Sequence, residues 1–423
     1  MEKSSSWRDV PSSLLGGGRS RYLRVAALVC LCLVLTYVYS SSSSSTGGGS
    51  GAFGGRHKVN TGPSSKTAVP RPSRAERRLM DAAGNATLGF GSIQFINLPL
   101  RFDRLDAATL QAWLSGVDIT EVHGVGIAEI NDVGMPPEHL TRVKKTEKGC
   151  WRAHANIWSQ MLRDKTPAVL VLESDAAWDV EVRAVMHRLN QHFTYLLDAL
   201  QSRTLPNPGF RARSDRGGGG GGGGPLALDP DDPWHSTHWD LLSLGQCFED
   251  PKHKDEAVRY PDPHVAPGSD YWGDALGAER VVRRSGGIVC TTAYAVSQTG
   301  AAKLLLRSAV DLDNPIDLVM RRMILSGDLV AYSVMPTVFA QWEYMDGIGM
   351  YERGANSDIQ GGNSDGALNL TGWDTVKRTG SVWQPKDGHP SIAFADMALQ
   401  RAWKLILGDS PLEASQFNEA DGN

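Results

Sequence analysis

An alternation of strand-like and helix-like segments, running from residue 91 onward, limits this chain to a few folds. Residues 92–98, SIQFINL, have the character of a strand, and 107–116 have the apolar spacing of a helix. Strands are predicted again at 119–125 and 168–172, with a helix at 146–164 between them. Strands that alternate with helices favour a sheet covered on both faces. The predicted fold class is therefore α/β, with a mostly parallel sheet flanked by helices.

The second half of the alternation is less regular. Strands are predicted at 238–245, 286–297 and 329–341, and helices at 298–309, with Ser297 as the N-cap, and at 315–327. Three stretches interrupt this order: a Gly-rich insert predicted to be disordered, an irregular region, and a C-terminal extension without assigned elements, at 203–233, 247–285 and 344–423.

The N-terminus has the pattern of a membrane anchor. Residues 25–39 are apolar and uncharged, Lys and Arg precede them, and the next basic residue is Arg56. This asymmetry places a cytoplasmic tail, 1–24, before a single-pass type II transmembrane helix, followed by a flexible stem, 40–90, and a soluble domain, 91–343. The span is short for a bilayer, which needs roughly 20 residues. A cleaved signal peptide is the alternative.

Composition excludes one class of function and leaves one question open. A formal net charge of −4 argues against a nucleic-acid-binding protein, which usually carries a basic face. Of the five cysteines, Cys30 and Cys32 lie in the predicted span. At most one disulfide can form among Cys150, Cys247 and Cys290, and the sequence does not decide the pairing.

Two carboxylates follow the most apolar strand. Glu173 and Asp175 come directly after 168–172, where ligands bind in open α/β sheets. Carboxylates in this place can hold a divalent cation that in turn binds a diphosphate. The simpler alternative is that Asp175 caps a helix while Glu173 pairs with an arginine.

Four motifs, in order, carry a family resemblance. They are FINLPLRFDR (95–104), GCWRAHANIW (149–158), LVLESD (170–175) and TTAYAVSQTGAAKLL (291–305), the last followed by Pro-Ile-Asp at 315–317. Together they resemble glycosyltransferase family 25, which includes lipooligosaccharide and collagen galactosyltransferases. The resemblance covers about residues 92–341.

The resemblance implies a GT-A type, Rossmann-like fold, a nucleotide-sugar donor, often UDP-galactose, and a divalent cation, with manganese favoured. It further implies inversion at the anomeric carbon. Position by position, it assigns Asn97, Arg101 and Arg104 to the nucleotide side of the site, and His154 to the conserved helix motif of the family. Glu173 and Asp175 match the outer members of the family's Glu-Asp-Asp and are the candidate metal ligands, whereas Ser174 stands where the middle carboxylate is expected.

Inversion requires a general base that accepts the proton of the attacking hydroxyl. Asp317 matches the family's Pro-x-Asp position, and Glu343 in QWEY is the rival candidate. In the absence of the resemblance, Asp317 would be read as a first-turn helix residue and His154 as a buried core histidine. Cys150 lies on the same predicted helix as His154, but the sequence shows no third partner, so a cysteine nucleophile is not favoured.

The expected protein is a type II glycosyltransferase of the Golgi or endoplasmic reticulum membrane, with a lumenal catalytic domain. It would transfer a hexose, with galactose favoured, from a nucleotide sugar to a glycan or glycoprotein hydroxyl. A non-catalytic protein that binds carbohydrate or nucleotide sugar on the same fold is the alternative, and Ser174 is the residue that favours it. A hydrolase using both carboxylates is a third possibility, which fits poorly if the two side chains point apart.

Overall fold

An eight-stranded sheet forms the centre of the molecule in the computed structural model. The described residues are 73–137, 143–206, 226, 231–266, 268–345, 348, 371–386 and 394–409. Their strands are β1 (Ile93–Asn97), β2 (Thr120–His123), β3 (Ala168–Glu173), β4 (Ala176–Trp178), β5 (Leu241–Ser243), β6 (Phe248–Glu249), β7 (Ala257–Pro261), β8 (Asp270–Tyr271), β9 (Asp274–Ala275), β10 (Glu279–Arg284), β11 (Ile288–Val289), β12 (Ala293–Ser297), β13 (Ala331–Met335), β14 (Phe339–Tyr344) and β15 (Trp383–Pro385).

The described residues also form α-helices. They are α1 (Arg74–Ala83), α2 (Phe102–Ser115), α3 (Lys145–Asp164), α4 (Val182–Ala199), α5 (Gln298–Val310), α6 (Ile316–Ser326), α7 (Thr371–Thr379) and α8 (Ala398–Leu407). Ser297 is the N-cap of α5, since its hydroxyl accepts a hydrogen bond from the Gly300 amide, as the sequence predicted.

The strand order of the central sheet is β2-β1-β3-β12-β5-β13-β10-β7. The neighbours β1–β2, β1–β3 and β5–β13 are parallel. The strands β12 and β10 are antiparallel to both of their neighbours. Six strands therefore run in one direction and two in the other. The predicted α/β class, with a mostly parallel sheet and flanking helices, is confirmed.

Alternate residues of β3 supply the cores on the two faces of the sheet. Leu170 and Leu172 belong to one buried cluster, which includes apolar side chains of α2 and α4. Val169 and Val171 belong to a second cluster, with side chains of α3, α5 and α6. Because successive side chains of a strand point to opposite faces, a strand covered on both sides needs an unbroken apolar run. This is why 168–172 is the most apolar strand of the sequence.

Several elements differ from those predicted. The strand expected at 286–297 is two strands, β11 and β12, and the one at 329–341 is divided into β13 and β14 near the cis Met335–Pro336 bond. The region at 247–285, expected to be irregular, contains β7 and β10, which pair at one edge of the sheet. Helix α4 was not predicted, although its buried side chains include Val185, Leu189 and Phe193.

Four predicted segments lie partly or wholly outside the described residues. Helix α1 lies within the segment predicted as a stem, and α7, β15 and α8 lie within the C-terminal extension. The glycine run at 217–224 lies outside the described residues. So does the predicted membrane span at 25–39, and among the residues that are described no helix combines the length and apolarity needed to cross a membrane.

One disulfide joins the residue before β6 to the residue after β11. Cys247 is bonded to Cys290, and Cys150 carries a free thiol. The pairing that the sequence left open is therefore 247–290.

Candidate functional site

A cavity of about 400 Å³ lies at the carboxyl ends of β1 and β3, against the first half of α3. Its wall includes apolar residues of the β1 end and of the loop after β2, together with a group of polar side chains. The polar and charged members are Arg104, Thr146, Cys150, His154, Glu173, Ser174, Asp175 and Gln341. The carboxyl ends of strands in an open α/β sheet are the usual place for a ligand.

The chain turns sharply at the mouth of β3. It leaves the strand at Glu173, turns at Ser174 and Asp175, and enters β4 at residue 176. The Asp175 carbonyl accepts a hydrogen bond from the Trp342 amide at 2.9 Å. Because of this turn, Glu173 and Asp175 have different neighbours although both contact the cavity.

Gln111 of helix α2 is buried and forms hydrogen bonds to β4, the strand after this turn. The Gln111 side chain donates to the Ala176 carbonyl at 3.3 Å and accepts from the Trp178 amide at 3.3 Å. Both bonds connect the helix to the backbone of β4. They fix the position of α2 relative to β4, and with it the position of Arg104 in the first turn of that helix.

Arg104 is buried and faces the turn. Its Nη1 donates to the Ser174 hydroxyl at 2.5 Å, and its Nη2 lies 3.9 Å from Asp175 Oδ2. The guanidinium thus brings a fixed positive charge to the cavity wall.

Asp175 is the carboxylate with one oxygen that accepts no hydrogen bond from the described residues. The residue is 6% exposed, and its Oδ2 accepts a hydrogen bond from Gln341 at 3.3 Å. Its Oδ1 is buried and has no hydrogen-bond partner among the described residues. Burial raises the pKa of Asp175, and the charge of Glu173 adds to the rise, although Arg104 and Lys386 act against it. An unpartnered oxygen of this kind fits a cation or a ligand hydroxyl.

Glu173 is held by a different set of partners. Its Oε1 accepts a hydrogen bond from the Thr291 hydroxyl at 2.5 Å and lies 3.5 Å from His154 Nε2. Burial acts to raise the pKa of Glu173, but the interactions with His154, Thr291 and Arg104 outweigh it and lower the pKa. Glu173 is therefore the ionised member of the pair over the wider pH range.

Hydrogen bonds that involve Tyr294 and Trp158 position the His154 ring on the side of Nδ1. Its Nδ1 lies 2.9 Å from the Tyr294 hydroxyl, and that hydroxyl accepts a hydrogen bond from Trp158 Nε1 at 3.1 Å. The His154 side chain is 1% exposed. Tyr294 belongs to β12 and Trp158 to α3, so the ring is fixed from both the sheet and the helix.

The structure brings four of the sequence-predicted site residues together: Arg104, His154, Glu173 and Asp175 all contact the cavity. Asn97 and Arg101 do not. Asn97 is buried at the end of β1, where its Nδ2 donates to Glu121 at 3.2 Å and its Oδ1 has no hydrogen-bond partner among the described residues.

Arg101 binds the carboxylate of Asp103, with Nε to Oδ1 at 2.9 Å and Nη2 to Oδ2 at 3.0 Å. This pair lies just before and at the start of α2, with Arg101 three residues before Arg104. The sequence motif contains both arginines, and only the fold distinguishes the one that reaches the cavity.

The two candidate bases are also not among the residues that line the cavity. Asp317 accepts hydrogen bonds from the Cys290 and Leu318 amides, at 3.2 and 2.9 Å, at the start of α6. Glu343 accepts a hydrogen bond from Gln384 at 3.1 Å on β14.

The sequence did not single out Thr291 or Gln341 as residues of the site. Both are uncharged, Thr291 lies between β11 and β12, and Gln341 lies within β14, so no local pattern marks them. Cys150 was noted without a third partner, but the structure supplies one, since Cys150, His154 and Glu173 lie together. The signal was present as Cys-x-x-x-His, which puts two side chains on one helical face.

A close backbone approach explains the glycine of the same motif. Gly149 lies on α3 against the loop after β2, and a Cβ at this position would collide with the Val125 carbonyl oxygen. Only glycine lets the helix approach closely enough for Cys150 and His154 to contact the cavity.

The fold and the site define an α/β protein with a ligand cavity at the strand ends, containing a buried arginine and two carboxylates of opposite pKa shift. The chain matches no protein-family model. It is 24% identical over 243 residues to a protein of Bos taurus named "Probable inactive glycosyltransferase 25 family member 3", covering 54% of this chain and 31% of the relative. It is 23% identical over 300 residues to the Homo sapiens protein "Inactive glycosyltransferase 25 family member 3", covering 65% of this chain and 39% of the relative.

These similarities confirm the resemblance carried by the four motifs and support membership of glycosyltransferase family 25. The matched part of the chain spans less than two fifths of the length of either relative. Both relatives carry the word "inactive" in their names, which makes turnover by this chain a question for experiment.

Proposed function

We propose that the chain is a glycosyltransferase that binds a nucleotide sugar in the cavity at the carboxyl ends of β1 and β3. The reaction is transfer of a hexose, with galactose favoured, to a hydroxyl of a glycan or glycoprotein. The observation that carries the proposal is Asp175, a buried carboxylate that contacts the cavity and has one oxygen without a partner among the described residues. Such an oxygen suits a cation beside a diphosphate, or a sugar hydroxyl.

The residues present fit a divalent cation, with Mn²⁺ favoured. Asp175 Oδ1 offers an open oxygen, and Glu173 Oε1 lies beside Thr291 and His154. A bound cation would neutralise the charge that develops on the departing nucleoside diphosphate. Arg104 contributes positive charge to the same wall without requiring a metal, and it therefore binds and orients the diphosphate.

The stereochemical part of the proposal is inversion, which requires a base near the acceptor hydroxyl. Asp317 and Glu343 remain the candidates from the motifs. Neither contacts the cavity, so either would act on an acceptor that extends beyond the cavity wall. Arg101 and Asn97 stay candidate nucleotide contacts on the same condition.

A second candidate function is binding of a nucleotide sugar without turnover. It is favoured by Ser174, which stands where a carboxylate is expected and whose hydroxyl is bonded to Arg104. It is also consistent with the names of the two relatives. The two candidates share the same cavity and differ only in the chemical step.

The test uses the full-length protein and a panel of nucleotide sugars, with nucleoside-diphosphate release and donor binding measured in parallel. Release from one donor that needs Mn²⁺ and stops with chelator would support transfer. Binding of one donor without release, with acceptor glycans present, would support the second candidate. A folded protein that neither binds nor hydrolyses any donor would contradict both.

Membrane attachment and a lumenal location in the Golgi or endoplasmic reticulum belong to this proposal. The Cys247–Cys290 disulfide supports them, because disulfides persist in oxidising compartments. Protease treatment of intact vesicles tests the topology. An epitope tag added at the C-terminus should be protected until detergent is added, whereas a tag added at the N-terminus should be removed.

A further inference from the structure

Three side chains of the types that bind transition metals meet on one wall of the cavity. Cys150 and His154 are one turn apart on α3, and Glu173 ends β3 beside them. One ligand atom from each lies within 4.8 Å of the other two. Within the described residues, this is the one such group of three metal-binding side chains.

We propose that Cys150, His154 and Glu173 bind one borderline-soft divalent metal ion of the Zn²⁺ type. The site is separate from the cation of the nucleotide-sugar proposal and stands without it. The ligand set decides the metal class, because thiolate and imidazole favour Zn²⁺, whereas Mn²⁺ prefers carboxylate, carbonyl and water.

The spacing of the ligand atoms fits a tetrahedral ion. Zinc–ligand distances of about 2.0–2.3 Å put the ligand atoms of such a site roughly 3.3–3.6 Å apart. His154 Nε2 and Glu173 Oε1 are already 3.5 Å apart. Cys150 Sγ lies within 4.8 Å of both atoms, and a side-chain rotation can bring it to the required spacing.

The surroundings already hold two of the ligands in place. The Thr291 hydroxyl donates to Glu173, and the Tyr294 hydroxyl lies against His154 Nδ1. When His154 binds metal through Nε2, its Nδ1 carries the proton and donates it to the Tyr294 oxygen. That oxygen has two lone pairs, one of which accepts from Trp158. Such outer contacts fix the tautomer and orientation of a metal-bound histidine.

The fourth coordination position faces the cavity, since all three ligands contact it. Three protein ligands with one open position are the pattern of a zinc site that exchanges water or binds a substrate atom. Cys150 loses its thiol proton to solvent when Sγ binds the ion. Asp175 takes no part in this set, because its partners are Gln341 and Arg104.

The test uses Co²⁺ as a spectroscopic probe in the full-length chain with Cys30→Ser and Cys32→Ser, so that Cys150 is the remaining thiol outside the disulfide. We expect one Co²⁺ per chain, with a thiolate-to-cobalt charge-transfer band and the strong visible bands of tetrahedral cobalt. Zn²⁺ should abolish both by displacement.

Variants identify the ligands. Cys150→Ser should remove the charge-transfer band, His154→Gln should weaken Zn²⁺ binding at least tenfold, and Tyr294→Phe should weaken it about tenfold through the outer contact. Circular dichroism checks that each variant is folded. No stoichiometric Co²⁺ binding by the folded parent, or a band that survives Cys150→Ser, would overturn the proposal.

The Asp175→Asn variant separates this proposal from the nucleotide-sugar proposal. It should keep the cobalt spectrum while donor binding is lost. If donor binding fails in the parent protein but the cobalt spectrum appears, only the nucleotide-sugar proposal is contradicted.

Discussion

Arg104 donates a hydrogen bond to Ser174 at 2.5 Å, across the turn that connects β3 to β4. The residue that departs from the family's Glu-Asp-Asp is therefore the one that binds the buried arginine. The same guanidinium also lies near Asp175, the carboxylate with the unpartnered oxygen. Arg104 therefore contacts both Ser174 and Asp175. Arg104 and Ser174 both lie on the cavity wall.

Arg104→Ala should destabilise the protein and abolish donor binding. The substitution leaves Asp175 buried without its neighbouring positive charge, at a cost of about 2–4 kcal/mol in the free energy of unfolding. Urea denaturation measures the stability, and calorimetric titration with a nucleotide sugar measures binding.

Arg101→Ala is the matched control. Its ion pair with Asp103 is partly exposed and is not part of the cavity wall, so the expected cost is about 1 kcal/mol, with a smaller loss of donor binding than in Arg104→Ala. Equal loss of donor binding in the two variants would contradict the placement of Arg104 as the cavity arginine.

Asp175→Asn should raise the melting temperature near neutral pH. The pKa of Asp175 is higher in the folded protein than its ordinary value, so the folded state favours the protonated acid. The contribution of this group to stability is most favourable below its ordinary pKa of about 4, and becomes unfavourable as pH rises through the folded pKa. Asparagine lacks this penalty. Thermal unfolding near pH 7 and below about pH 4 should show a gain that shrinks on acidification.

Glu173→Gln should act in the opposite direction. The pKa of Glu173 is lowered in the folded protein, so its carboxylate stabilises the fold above its ordinary pKa, and that stability is lost as pH falls through the folded pKa. The variant should have a lower melting temperature near neutral pH. Two carboxyl-to-amide changes with the same sign would show that the two sites are not electrostatically distinct.

Gly149→Ala should lower stability and weaken ligand binding together. The new Cβ collides with the Val125 carbonyl, so α3 must move away from the loop that forms part of the cavity wall. We expect a loss of about 1–3 kcal/mol, as for other overpacked positions. Gly134→Ala is the control, because a Cβ there meets no atom within 4 Å. A melting temperature unchanged by Gly149→Ala would contradict the close approach.

Replacing both Cys247 and Cys290 with serine should destabilise the protein by ~4 kcal/mol. This follows from the chain-entropy model for a sequence separation of 43 residues. Urea denaturation measures the change, and peptide mapping without reductant checks the pairing. A disulfide found between Cys150 and either of these residues would contradict the fold in this region.

The sequence predicted the elements whose patterns are local. Strands β1, β2 and β3 and helices α3, α5 and α6 lie close to their predicted positions, because apolar periodicity and an N-cap such as Ser297 are carried by neighbouring residues. The strands β7 and β10 were missed because they carry arginines and become regular only by pairing, β7 with β10 and β10 with β13. Edge pairing depends on distant partners, which a single segment does not show.

The site was predictable to a similar extent. The carboxylates at the end of β3 stood out because a buried apolar run ends abruptly in charge. Which of Arg101 and Arg104 reaches the cavity depends on the geometry of α2. The proximity of Cys150 to Glu173 depends on how α3 packs on the sheet. Neither relationship has a signature in sequence spacing.

The most direct test of the central claim is calorimetric titration of full-length protein with UDP-galactose in the presence of Mn²⁺, together with Arg104→Ala and Asp175→Asn. We predict one bound donor per chain in the parent protein and no measurable binding in either variant, with Asp175→Asn still folded. Donor binding that persists unchanged in both variants would place the nucleotide-sugar site elsewhere and contradict the account.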